Sequence, residues 1–116
     1  MKKINVCKIV KLVPVVTSLM LLSLLTGCQK SDNPGANEVF IENFAFNPGT
    51  ITVSVNTTIT WTNKDRVNHT VTSTTGIFDS GSLNKNETFS YTFSTAGSYP
   101  YKCTIHPYMT GTVVVQ

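Results

Sequence analysis

Three side chains with soft donor atoms stand close together in Tyr99-Pro100-Tyr101-Lys102-Cys103-Thr104-Ile105-His106-Pro107-Tyr108-Met109. They are a thiol, an imidazole and a thioether, spaced Cys-x-x-His-x-x-Met. A soft transition metal accepts all three, and copper suits the set. A trigonal site of two His and one Cys, completed by a weak axial Met, is an arrangement copper uses for electron transfer. The stretch lacks one histidine, and the chain has two in all, the other being His69. Taken singly, a loop His is a surface residue, a Met beside a strand is core, and a lone Cys is buried and inert. Their concentration in one loop argues for a common task, with His69, Cys103, His106 and Met109 as the candidate metal ligands.

The flanking elements must position them. Apolar and polar residues alternate with period two through most of the chain beyond Glu38, and no stretch carries a helical pattern. Val39 and Ile41 begin the pattern, followed by Phe44 and Phe46. Asn47-Pro48-Gly49 signals a turn. Ile51, Val53 and Val55 alternate with polar residues, as do Ile59 with Trp61, and Phe89 with Tyr91 and Phe93. A short Thr-rich segment surrounds Val71. Tyr99, Tyr101 and Cys103 lead into the ligand loop, and Thr112 to Gln116 leaves it. Seven to eight short strands at this spacing predict an all-β sandwich with Trp61 in its core. Loops cluster at the ends of a sandwich, so His69 can meet the later loop there.

The N-terminus reads as a processing signal over residues 1–27. Lys2, Lys3, Lys8 and Lys11 precede an apolar run that ends in Leu25-Thr26-Gly27-Cys28. A basic start, an apolar middle and small residues at the cut describe a secretory signal. The run is short for a membrane span. The ending resembles a bacterial lipobox, which makes Cys28 the lipid-modified first residue of the mature chain. Residues 28–37 read as a tether and 38–116 as the domain. The formal charge of +3 resides in the signal: from Cys28 onward there are five basic residues against six acidic ones, a net −1. No basic stripe is available for nucleic acid. With Cys7 removed and Cys28 acylated, Cys103 is the one thiol left, and no disulfide is possible within the domain.

The residues Glu42-Asn43-Phe44-Ala45-Phe46-Asn47-Pro48, Thr60-Trp61-Thr62-Asn63, His69-Thr70-Val71-Thr72-Ser73, Phe78-Asp79-Ser80-Gly81 and the Cys103 loop resemble the small cupredoxins. The loop spacing is nearest to amicyanin, in the plastocyanin-like group. The resemblance implies a Greek-key β-sandwich and a type 1 copper site with one copper per chain, held by His69, Cys103, His106 and Met109. It also implies single-electron shuttling between redox partner proteins, with no catalysis of its own. Plastocyanin and azurin carry Asn where Thr70 stands, and that Asn ties the two ligand loops together. Plastocyanin and amicyanin carry Pro where Ile105 stands. Pro lacks an N–H, so Ile105, with Thr70, is expected to donate to the Cys103 sulfur. His106, Pro107 and Tyr108 are expected to form the rim where electrons enter and partners dock.

Two histidines are too few for a multicopper oxidase, and one loop cysteine is too few for a binuclear purple copper centre. The set is too soft for zinc hydrolysis and its motif has no carboxylate base. The alternative is copper binding for buffering, delivery or resistance, which the same ligands would serve. The chain is expected to act as a monomer, exported and held to a membrane of the cell envelope through Cys28. Stable anchoring takes more than one acyl chain. Cys28→Ser is accordingly expected to leave unprocessed or mislocalised protein. Fractionation with fatty-acid labelling checks this, and normal processing with membrane retention would contradict it.

Overall fold

The computed structural model describes residues 33–116. The expected signal segment and Cys28 lie outside the described residues. Eight strands follow one another: β1 (Glu38–Glu42), β2 (Ala45–Asn47), β3 (Thr50–Val53), β4 (Thr57–Asn63), β5 (Thr72–Ser73), β6 (Thr88–Phe93), β7 (Gly97–Lys102) and β8 (Thr110–Val115). They form two four-stranded sheets, ordered β2-β1-β4-β6 and β3-β8-β7-β5. The expected all-β sandwich is present, with no helix among the described residues. Hydrogen bonding of the domain begins ahead of β1: Glu38 N–H donates to Gly35 O, and Thr60 N–H donates to Asn37 O.

Period-two patterning decides which residues face inward, because successive strand side chains point to opposite faces. Val39 and Ile41 of β1, Ile59 and Trp61 of β4, and Val113 and Val115 of β8 are all buried. Trp61 is central. Its ring meets Phe78, Phe89, Phe93 and Tyr101 at centroid separations between 5.5 and 6.5 Å. Tyr101 belongs to the second sheet and Trp61 to the first, so this contact locks the layers face to face. Phe78 and Leu83 also enter the core, although the segment between β5 and β6 is irregular. The alternation fails at three places, one of them Val55, which lies beyond the end of β3 and is 40% exposed. The Thr-rich segment near Val71 pairs over only two residues, Thr72 with Lys102 and Ser73 with Tyr101. Phe44, read with Phe46 as an apolar strand position, is 42% exposed, because it lies in the β1–β2 turn with φ at 56°.

β7 and β8 pair in antiparallel register from Gly97↔Val115 to Lys102↔Thr110. That register brings the two ends of the 103–109 loop together. Tyr101 lies over Gly111, whose missing side chain leaves room for the tyrosine ring and hydroxyl: a Cβ there would collide with both. The Tyr101 hydroxyl and the Trp61 indole N–H are buried, and neither finds a hydrogen-bond partner. Burial raises the Tyr101 pKa to about 12, against an opposing pull from the Trp61 indole N–H, which lies toward the hydroxyl without reaching hydrogen-bond geometry. The folded chain therefore holds this proton more tightly than the unfolded chain. The resulting stabilisation is intact below the ordinary value of 10 and is lost as pH climbs toward about 12. Tyr101→Phe is expected to change stability by less than ~1 kcal/mol near neutral pH, since the hydroxyl has no bond to lose. It should also flatten the alkaline decline, and urea unfolding of the metal-free protein near neutrality and near pH ~11 checks both points.

Candidate metal centre

The loop that leaves β4 is shaped by a buried amide. Asn63, fully buried at the end of that strand, donates from Nδ2 to Val67 O and to Leu83 O, each at 2.9 Å. Its Oδ1 accepts the Asp65 N–H at 2.9 Å. The chain then delivers His69, whose backbone pairs with Leu83 in both directions, N–H to O at 3.2 Å and O from N–H at 2.8 Å. The His69 ring is fully buried. Its Nε2 lies 2.8 Å from Asp65 Oδ2. An ionised carboxylate only accepts, so Nε2 carries the proton and Nδ1 presents a lone pair.

The second loop closes on itself. Cys103 N–H donates to Met109 O at 3.1 Å, and Met109 N–H donates to His106 O at 2.9 Å. Cys103 and Met109 are buried, and His106 is half-buried at the surface. Three sequence-predicted ligands meet here. His69 Nδ1 lies 3.7 Å from Cys103 Sγ, His106 Nδ1 lies 3.8 Å from it, and the two Nδ1 atoms are 3.2 Å apart. A point equidistant from the three atoms of this triangle is about 2.1 Å from each, close to the ~2.0–2.3 Å at which a zinc-sized ion bonds imidazole nitrogen and thiolate sulfur. Among the described residues this is the one cluster of His, Cys and acidic side chains able to hold a metal ion. Met109 is brought to the same loop, buried, with its backbone bonded to both of the other loop ligands.

The two loops are tied at Thr70. Its N–H donates to Cys103 Sγ at 3.3 Å. Its Oγ1 accepts the Thr104 N–H at 2.8 Å and lies 3.0 Å from the Thr104 hydroxyl. A hydroxyl thus makes the cross-loop bond that an Asn makes in plastocyanin and azurin. The Ile105 N–H, expected to share the sulfur, is not among its donors. Thr70 supplies the backbone donor instead, and Ile105 lies in the bend after Cys103, 48% exposed.

Sequence reasoning missed three contributors. Asn63 ends β4, and Asp65 stands in the polar stretch after it, four residues before His69 and within reach of its far nitrogen. Burial pulls the Asp65 carboxyl upward, but N–H bonds from Phe44 and Asn43 and the bond to His69 outweigh it, leaving its pKa below the ordinary carboxylate value. Phe44 meets both imidazoles edge-on, at centroid distances of 5.5 Å to His69 and 5.1 Å to His106. Tyr108 lies 6.2 Å from the His106 ring and is 70% exposed.

Comparison with known proteins agrees with this geometry. A family model described as a cupredoxin-like domain matches residues 15–115. Amicyanin of Paracoccus denitrificans is 36% identical over an 87-residue alignment that covers 71% of this chain and 66% of that protein, just under two thirds of its length. Amicyanin-alpha of Methylorubrum extorquens is 33% identical over 87 residues, covering 71% of this chain and 73% of that one. A solved purple cupredoxin from Nitrosopumilus maritimus superposes with a TM-score of 0.63 at 31% identity, over 68% of this chain and 98% of that one. The reduced form of an amicyanin variant superposes with a TM-score of 0.66 at 30% identity, over 76% and 87%.

Thr70→Val keeps the backbone donor to sulfur and removes the acceptor for Thr104. We expect a loss of about 1–2 kcal/mol in urea unfolding of the metal-free protein, with Thr70→Ser close to wild type. Equal stability of the Val and Ser variants would mean that the hydroxyl tie holds nothing.

Proposed function

The chain belongs to the cupredoxin-like family, and from that premise we propose that it is a type 1 copper electron carrier, with no catalytic activity of its own. The observation that carries this reading is the convergence of the His69 and His106 Nδ1 atoms on the buried Cys103 sulfur. The donor chemistry fits copper: two imidazoles and one thiolate in a trigonal array, with a thioether available from Met109. Bound copper supplies reversible one-electron chemistry between Cu(I) and Cu(II).

The protein's own residues do the rest. Asp65 fixes the tautomer of His69, so that its free nitrogen faces the sulfur. The Thr70 N–H draws electron density from the thiolate, which favours the lower charge state of the site. The bonds from Cys103 N–H to Met109 O and from Met109 N–H to His106 O hold the loop in one shape. Little need rearrange when the charge changes. Buried Cys103 is kept from solvent oxidants, while half-buried His106 provides a route to the surface. Pro107 and the exposed Tyr108 beside it form an apolar rim suited to brief docking of a redox protein. Export and lipid attachment through Cys28 complete the proposal and place the carrier at the cell envelope.

Cu(II) is expected to bind one per chain and to give an intense visible band from the Cys103 thiolate. Cys103→Ser should abolish the band, and His69→Ala should disrupt the site with partial rescue by added imidazole. Absorption titration checks the stoichiometry. A reversible one-electron couple by voltammetry separates electron transfer from copper delivery, which would show rapid Cu(I) handover instead. Colour that survives loss of Cys103 would contradict the assignment.

A further inference from the structure

The β1–β2 connection is a two-residue turn in which Asn43 and Phe44 both have positive φ, 53° and 56°. Tight hairpin turns of this kind favour Asn first and Gly second. A bulky residue in the left-handed region is an outlier, and Gly would occupy this position without strain. Nor is the ring placed for core burial, since it is 42% exposed. What a ring adds at this position is contact with the two ligand imidazoles, nearly perpendicular to both, at interplanar angles of 89° and 86°.

The turn is held by the carboxylate that holds His69. Asp65 Oδ1 accepts the Asn43 N–H at 2.8 Å, and Oδ2 accepts the Phe44 N–H at 3.0 Å together with His69 Nε2–H at 2.8 Å. One side chain thus joins the strained turn to a ligand, and Asn63 in turn fixes the backbone of Asp65. His69 is already secured by Asp65 and by its two backbone bonds to Leu83. His106, half-buried in a bend, has fewer restraints on its ring.

We infer that Phe44 is a positioning residue of the metal centre: clamped by Asp65, its ring lies as a lid against both imidazoles and keeps His106 from swinging off the metal. This rests on the copper reading. Release of the metal then requires the lid to move, and its rate reports on the lid.

The test uses the full copper-loaded chain, reduced and mixed with an excess of a Cu(I) chelator, with release followed by absorbance. Phe44→Ala and Phe44→Gly are expected to release copper about tenfold faster than wild type, the scale set by loss of two edge-to-face ring contacts, and Phe44→Tyr to stay within about twofold. Phe44→Gly also relieves the backbone strain, so its unfolding stability should equal or exceed that of Phe44→Ala. A release rate that is high while stability is retained marks positioning, whereas a purely structural role would make release follow stability. Asp65→Asn should also speed release, and by a smaller factor in the Phe44→Gly background than in wild type; an equal factor in both would overturn the clamp. Wild-type release rates in the Ala and Gly variants, with the thiolate band present, would overturn the lid while leaving the copper reading intact. Absence of the band from the wild-type protein would overturn both.

Discussion

Three atoms that bear lone pairs are held within 3.8 Å of one another. Unrestrained, the two imidazoles and the sulfur would turn apart and toward water. Everything around the triangle can be understood as resistance to that tendency. Asp65 takes the proton-bearing nitrogen of His69, and Leu83 pairs with its backbone. Thr70 holds the sulfur from one side, while the 103–109 loop bonds to itself from the other.

That resistance is distributed between two sheets. The His69 loop grows out of β4, which belongs to the first sheet, and the Cys103 loop joins β7 to β8 in the second. The contact between Trp61 and Tyr101 sets the separation of the layers, and Gly111 admits the tyrosine ring. The geometry of the site thus depends on packing well below it. Thr70 then makes the last connection across the gap, through one backbone and one side-chain group of a single residue.

Much of this was legible in the sequence. Period two gave away the strands because each has one buried and one open face. The ligand spacing stood out because thiol, imidazole and thioether seldom fall so close together. The parts that were not legible share a physical cause. Asp65 and Phe44 lie in turns, where neither period nor composition marks a direction, and Asn63, although it keeps the inward period of Ile59 and Trp61 in β4, works on the turn that follows. Asp65 looked like an ordinary loop acid until the fold brought the β1–β2 turn against it. Phe44 looked like a core residue because only the left-handed backbone turns it outward. Ile105 carries an N–H that its proline-bearing relatives lack, but the bend that follows Cys103 leaves Thr70 as the backbone donor to the sulfur.

The position of β8 has a consequence for how the molecule comes into being. That strand lies between β3 and β7, in the interior of its sheet, and pairs in parallel with β3 from Thr50↔Thr112 to Val53↔Val115. Such pairing joins residues far apart in the chain and is slow to form. A ribosome makes the chain in the opposite order of need: Cys103 emerges before the strand that closes the loop behind it. Until residues 110–115 have been synthesised and docked, the second sheet is split and the sulfur has no enclosure. Acquisition of metal is then a sign of completeness, since a product broken off before its last strand has the donors but not the means to gather them.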